Sequence, residues 1–506
     1  MTTLGLWLFQ LEWFAFRIAI LIFGGKLLRS AWHARWGAAR AARPPDPTAW
    51  PLVTIQLPIL DEYYVVERLL RATWRLDYPH DRFEIQVLDD SSDETSPLID
   101  RVVAELRASG AGPRIDVVRR ASRVGFKAGS LACGLESARG EVIAMFDADA
   151  EPPASFLKHT IAWLLADPKC GMVQARWGFS NEERSMLTRL AALPLHGLMS
   201  VEQPAASALR EPFQFNGTAG VWRRMCIDDA GGWTAASVTE DLDLSFRALM
   251  RGWTFQHLAD LVVPTELPTT ALAYRAQQQR WTTGNFQVLR SLSRAILASS
   301  LPLRHRLAMC LHMMRRSIYA FQAILVITYP LTTFELVKPP ITSNMWENIA
   351  LLGYCCIAQV AYLWESDRVR GRSPVRMLLL LPLWFGLNLG LSFSQTRAVL
   401  VGLRGKPVSF VKTPKLGDRA RRGPRYRAAF DPVCLLELAI GGVYLVLAML
   451  CRDRGYIGQM AFCIYVAIAF SSVGVWTLLG NRERRPVERA IAVPTLAVDH
   501  GRVVGE

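Results

Sequence analysis

Residues 146–150 read Phe146-Asp147-Ala148-Asp149-Ala150 and follow the short apolar run 142–145. The pattern is that of a buried strand ending in two carboxylates one residue apart. Hard oxygen ligands of this kind suit Mg²⁺ or Mn²⁺, ions that usually also bind substrate phosphates. An isolated Asp-x-Asp occurs by chance in surface turns, so the company it keeps decides its meaning. Three further clusters accompany it in order along the chain: Leu88-Asp89-Asp90-Ser91 before it, then Thr239-Glu240-Asp241-Leu242-Asp243 and Gln277-Gln278-Gln279-Arg280-Trp281 after it.

These clusters need a scaffold, and residues 49–302 supply the pattern of one. Runs rich in β-branched residues at 53–57, 85–88, 115–118 and 142–146 alternate with helical patterns at 67–74, 97–108 and 129–137. Such alternation predicts a parallel sheet with a nucleotide site at the strand C-termini. Both acidic pairs fall where that rule places ligand-binding groups. The expected fold class is therefore an α/β, Rossmann-like domain.

The remainder of the chain has membrane character. Of the 506 residues, 51% are hydrophobic, and they are concentrated outside the α/β region. The formal charge of +14 collects beside apolar segments, at 29–43, 368–376, 397–427 and 482–489. Clusters so placed follow the positive-inside rule, and no recognition helix or basic groove with interleaved aromatics suggests nucleic acid as a partner. Residues 4–24 are apolar apart from Gln10, Glu12 and Arg17, which is long enough for a span of ~20 residues. Residues 1–44 thus read as an uncleaved anchor with a basic flank, 45–300 as a cytoplasmic domain, and 301–317 as an interfacial amphipathic helix. Residues 318–480 form the C-terminal membrane region, with apolar hairpins at 318–364 and 432–480, and 481–506 form a cytoplasmic tail. A single crossing by 377–394 would put the basic stretch 397–427 outside. That segment is therefore expected to be re-entrant or interfacial, leaving about five spans, or about six if it crosses. The nine scattered cysteines contain no Cys-x-x-Cys pair and are expected to be free.

Taken in order, the four clusters resemble the D, DxD, TED, QxxRW series of processive family 2 glycosyltransferases, which have the GT-A fold. The strings Gln56-Leu57-Pro58, Gln86-Val87-Leu88-Asp89-Asp90-Ser91, Val173-Gln174-Ala175-Arg176-Trp177, 215–222 and Ala230-Gly231-Gly232-Trp233 resemble the plant cellulose-synthase-like A mannan synthases and their C-type glucan-synthase relatives. The likeness runs from just before Pro51 through Leu289, about half of the chain.

The resemblance implies a membrane-embedded inverting hexosyltransferase that uses Mg²⁺ or Mn²⁺. Its donor would be GDP-mannose or UDP-glucose, and its acceptor a growing polysaccharide or a membrane lipid. It would sit in the plasma membrane with the catalytic domain on the cytoplasmic side. Asp147 and Asp149 would hold the metal against the leaving diphosphate. Asp89 or Asp90 would contact the nucleoside, with the choice left open, and Lys127 would lie near the nucleotide. Asp241 would be the general base, with Glu240 beside it. One base and one in-line displacement invert the anomeric centre. Gln277 and Arg280 would contact the diphosphate, and Trp281 would stack on the acceptor sugar. Asp243 reads instead as a helix N-terminal acid.

Phe215, Asn216, Gly217 and Thr218 correspond to an acceptor-facing stretch. Asn216 stands where cellulose synthases carry Cys, which argues against a plain cellulose synthase. Phe410-Val411-Lys412-Thr413-Pro414-Lys415 partly resembles the gating loop of bacterial cellulose synthase, Phe-x-Val-Thr-x-Lys, and places a candidate gate at 408–417. A nucleotide- or polysaccharide-binding protein without activity is the remaining alternative, and the full set of charged motif residues argues against it.

Overall fold

The computed structural model describes residues 3–37, 42–110, 112–334, 345–405 and 431–482. The proposed gating segment at 408–417 and residues 483–506 of the tail lie outside the described residues.

Seven strands form one sheet: β1 (Val53–Ile59), β2 (Phe83–Asp89), β3 (Arg114–Val118), β4 (Val142–Met145), β5 (Cys170–Phe179), β6 (Gly220–Arg223) and β7 (Thr254–Thr265). Their order is β3-β2-β1-β4-β6-β5-β7. The first four pair in parallel, with Ile55 opposite both Ile85 and Ala144. The sheet is mixed, however, and not the wholly parallel one that strand–helix alternation predicts. β6 runs antiparallel to both β4 and β5. A strand as short as Gly220–Arg223 carries too little periodicity to announce its direction. Both faces of the central strands are covered, as parallel strands require, and Val53, Ile55, Leu57, Ile85 and Val87 are fully buried.

Helices form from the expected segments at Val66–Trp74, Thr95–Ala108 and Phe126–Ser137. A 28-residue helix, Ala271–Ala298, then leads from the sheet to the apolar half of the chain. It is followed by Leu303–Met314, a short turn at Arg315–Ser317, and Ile318–Thr333.

Among the described residues, Val433–Asp453 and Ile457–Leu479 are long and apolar enough to cross a membrane. On the first, Leu435, Leu436, Val443, Leu445, Val446 and Met449 are exposed, a surface suited to lipid and costly in water. Val375–Gly390 and Ser392–Arg404 form a pair bent by 52°, the geometry of a broken span or a re-entrant segment. The N-terminal helix Thr3–Trp36 packs against Met345–Val369, and Arg17, a charge inside its apolar stretch, pairs with Glu347 at 3.3 Å. All nine cysteines are free.

Candidate active site

A cavity opens at the C-terminal ends of β1 and β4, where the crossovers diverge to opposite sides. Its wall is built by the strand that breaks the parallel rule. Because β6 runs back against β4, Ala219 donates its N–H to the Met145 carbonyl, and the Asn216–Thr218 stretch is laid beside Asp147. Two residues in the left-handed region make the turn, Gly217 at φ 83° and Ala219 at φ 59°. The Asp147 N–H donates to Thr218 Oγ1 at 2.8 Å, locking the turn to the acidic pair.

Asp149 is 5% exposed, and its Oδ2 accepts the Glu266 N–H at 2.7 Å from the end of β7. Asp147 is more open to the cavity. Among the described residues no third acidic, His or Cys side chain converges on the pair to complete a cage. Two hard carboxylate donors at a strand end still fit Mg²⁺ or Mn²⁺, ions that keep water and substrate phosphate as their other ligands.

Lys127 joins the separate motifs. The helix that carries it begins after Gly125, at φ 77°, which turns the chain so that the side chain enters the cavity. The ammonium donates to Asp147 Oδ1 at 2.5 Å and to the Gly217 carbonyl at 2.8 Å, and lies 3.6 Å from Glu240 Oε1. Burial alone would lower its pKa. The charges of Asp147 and Glu240 outweigh that and raise it, so Lys127 stays protonated.

Glu240 and Asp241 occupy the first turn of Glu240–Met250. Burial, then the charge of Glu240, pushes the Asp241 carboxyl up to about 7, against the lowering effects of Lys127 and the Leu242 N–H. A carboxyl so tuned can take a proton near neutral pH. Asp243 points elsewhere, accepting from Thr234 at 2.8 Å and pairing with Arg247 at 2.7 Å, a structural use.

Gln277, Arg280 and Trp281 lie three and four residues apart on the long helix, hence on one face, and all three line the cavity. Asp90, Asn216, Gly217 and Thr218 line it too. Two of the sequence candidates do not. Phe215 is fully buried, packed edge-on to Trp222, because its position in the strip points into the core. Asp89 is also turned away from the cavity, accepting from Arg119 at 2.8 Å, Ser96 at 2.7 Å and its neighbour Ser91 at 3.0 Å. Of the two aspartates, Asp90 lines the cavity, with its carboxylate held by Arg120 in a two-point pair.

Sequence reasoning overlooked Arg120, Arg123, Trp177 and Glu266, of which the last three line the cavity. The signal for the arginines was present. Arg119-Arg120 directly follow β3, the strand beside the one ending in Asp89-Asp90, and opposite charges at adjacent strand ends pair.

Two substitutions check this layout. Asp90→Asn is expected to raise the donor KM roughly tenfold, the worth of about one charge-assisted contact. Asp89→Asn is expected to lower the melting temperature in detergent and leave the donor KM unchanged. Donor titrations and melting curves on the two variants separate the roles. At Gly217 an added Cβ would sit 3.2 Å from Asp241 Oδ2 and 3.5 Å from Lys127 Nζ at a positive φ. Gly217→Ala is expected to lower kcat about tenfold or more, measured as nucleotide release, because the turn is strained at that φ and the Asp241 carboxyl must give way.

The model for glycosyl transferase family 2 matches residues 54–228, and that for glycosyl transferase family group 2 matches 142–337. Glucomannan 4-β-mannosyltransferase 1 of Cyamopsis tetragonoloba is 34% identical over 452 residues, covering 84% of this chain and 81% of the relative. The chain belongs to the glucomannan 4-β-mannosyltransferase family. Glucomannan 4-β-mannosyltransferase 9 of Arabidopsis thaliana is 32% identical over 453 residues, covering 84% of this chain and 80% of the relative. The shared region is thus wider than the half of the chain in which the motif strings lie, and reaches well into the apolar C-terminal part. Among solved structures, a mannosyltransferase from Pyrobaculum calidifontis, in complex with GDP-Man and Mn²⁺, aligns with a TM-score of 0.48 at 24% identity, over 69% of this chain and 99% of that one. As a member of this family the chain is a family 2 hexosyltransferase with a GT-A domain.

Proposed function

We propose that this chain is a membrane-embedded, inverting mannosyltransferase that extends a β-1,4-linked mannan or glucomannan from GDP-mannose. The observation that carries the chemistry is the Lys127 bridge. It puts the Asp147–Asp149 pair and the tuned carboxyl of Asp241 in one cavity, with Gln277, Arg280 and Trp281 on the facing wall. The sugar and linkage rest on the family, whose named members are glucomannan 4-β-mannosyltransferases.

Asp241 takes the proton from the acceptor hydroxyl as its oxygen bonds to C1 of the donor sugar. The bond from C1 to the diphosphate oxygen breaks on the opposite face, and GDP leaves. Asp147 and Asp149 would hold Mg²⁺ or Mn²⁺, which supplies neutralisation of the diphosphate's growing charge. Arg280 and Gln277 grip the diphosphate, Asp90 faces the nucleoside, and Trp281 offers its ring to the acceptor. The cytoplasmic domain spans about residues 45–300. It is tied to a plasma-membrane region in which the two apolar C-terminal helices are joined by the N-terminal anchor, the 318–364 hairpin and the bent 375–404 segment.

The test is nucleotide release by purified protein with Mg²⁺ or Mn²⁺ from GDP-mannose, UDP-glucose, UDP-galactose and UDP-N-acetylglucosamine, with the labelled product sized. GDP-mannose turnover into high-mass product cut by β-mannanase is the expected result. Label only in chloroform-soluble lipid would overturn the polymer assignment and make the acceptor a membrane lipid and the product a glycolipid. Turnover of UDP-glucose alone, into β-glucanase-sensitive product, would overturn the donor.

A further inference from the structure

Arg316 lies outside the four motifs, in the turn Arg315–Ser317 between Leu303–Met314 and Ile318–Thr333. Its guanidinium sits over the Trp281 ring, 5.6 Å from the centroid. It donates to Gln278 Oε1 at 3.1 Å and to Thr282 Oγ1 at 3.4 Å, residues that flank Trp281 on the same helix. Thr282 is fully buried and in turn donates to Gln395 Oε1 at 2.7 Å, on Ser392–Arg404. One arginine therefore ties the turn that bears Trp281 to two helices of the apolar half. Burial pushes the Arg316 pKa down to about 10, so the cation is desolvated yet still charged at neutral pH. Its Nε is buried without a hydrogen-bond partner among the described residues. The ring contact is thus the third interaction that holds the guanidinium in place, beside the two hydrogen bonds. A cation over an indole gains more as water is excluded, and both Arg316 and Trp281 are half-buried.

We propose that Arg316 is the positioning residue of the acceptor subsite: it fixes the Trp281 ring against which the terminal hexose of the growing glycan stacks, and so sets acceptor affinity independently of the donor. The proposal rests on reading the cavity as a glycan-extending site. Trp281 lines the cavity, while Arg316 does not. The cation touches neither the diphosphate grip of Gln277 and Arg280 nor the Asp147–Lys127 contact. Because Arg316 sits where the Leu303–Met314 helix turns into Ile318–Thr333, displacement of that junction would reach the acceptor platform through a single side chain.

The experiment uses the full chain in detergent with Arg316→Lys and Arg316→Gln. Three quantities are read: the KM for GDP-mannose, the slow hydrolysis of donor without acceptor, and the KM for a β-1,4-linked manno-oligosaccharide. Arg316→Gln is expected to raise the acceptor KM about 10- to 30-fold, with donor KM and hydrolysis within about twofold of the parent. Arg316→Lys keeps the cation and loses the planar fork, so it is expected to recover most of the acceptor affinity. An unchanged acceptor KM in both variants overturns the proposal. So does an equal rise in donor and acceptor KM, which would mark a purely structural arginine. If Arg316→Gln does not fold, Arg316→Lys decides. A modest rise in acceptor KM, with quenching of Trp281 fluorescence by the oligosaccharide weakened relative to the parent, supports the proposal, and parental behaviour in both overturns it. Failure of the parent itself to extend any glycan would sink the functional reading instead, and is distinguished by the donor hydrolysis that remains.

Discussion

Asp241→Asn is expected to abolish turnover by about 10² to 10⁴-fold while GDP-mannose binding is retained. The amide keeps the size of the side chain but cannot accept the acceptor's proton. The proposed donor contacts, at Asp90, Asp147, Arg280 and Gln277, line the same cavity and are left in place. Nucleotide release and donor titration on the same preparation check both halves, and an unchanged rate would remove Asp241 from the role of base. The pH profile is a second, independent readout. Asp241 acts only when deprotonated, and its carboxyl is pushed up to about 7. The value of kcat/KM should therefore rise with pH through about 7 and level off above it. Burial is the larger cause and cannot be removed by one substitution, but the second cause, the charge of Glu240, can. Glu240→Gln is expected to move the acid limb to lower pH, since removing a neighbouring negative charge makes the carboxylate easier to form. A divalent cation beside Asp147 acts in the same direction as Lys127, so the sign of the Glu240→Gln shift, measured at fixed metal concentration, is the diagnostic quantity. A limb that moves up would contradict the arrangement of the two carboxylates.

The fold and the motifs were legible in this sequence to different depths, for physical reasons. Short apolar runs ending in Asp pairs, with Ile85 and Val87 in one and Val142 and Ile143 in the other, announced the positions of Asp90, Asp147 and Asp149, because a parallel sheet gathers its strand ends at one edge. The resemblance singled out Gln277, Arg280 and Trp281, and the long helix Ala271–Ala298 brings them to one face. What spacing could not carry was side-chain direction at the end of β2. Asp89 and Asp90 alternate across the sheet, so one had to face the cavity and the other the interior, and only the partners, Arg119 and Arg120, decide which. Phe215 faces inward while Asn216 lines the cavity, in a stretch that belongs to no strand and so carries no period to read. The reversal of β6 was equally hidden, since four residues cannot display a direction. Arg275 shows the limit from the other side. It reads as one more basic residue ahead of the Gln277–Trp281 motif, yet it is 2% exposed, and its partner lies 162 positions later in the chain.

That pair makes the second strong expectation. Arg275 donates to Glu437 at 2.9 and 2.6 Å and to Thr477 at 2.9 Å, joining the helix of the catalytic motif to both apolar C-terminal helices. Glu437 is fully buried. Removing one partner leaves an uncompensated charge in a medium that cannot solvate it, which costs about 3–5 kcal/mol, whereas replacing both by apolar groups of similar volume is often near neutral. Glu437→Leu and Arg275→Met should each therefore lower the melting temperature in detergent strongly, and the double variant should recover most of the loss. The single variants should also lose activity beyond their loss of folded protein. Arg275 sits two residues before Gln277, and its anchor sets the rotation of the helix that aims Gln277, Arg280 and Trp281. If the double variant melts like the parent but transfers sugar slowly, the pair serves orientation more than stability. If it recovers both, apolar packing alone can hold the helix in register. If the double variant is as unstable as the singles, the charges are matched to Thr477 and to Asp431, 3.6 Å from Arg275, and not to each other alone. The three outcomes correspond to three ways of joining the GT-A domain to the apolar helices. Only a cycle of the two single and one double variants separates them, because either single substitution strands a charge whatever the pair is for.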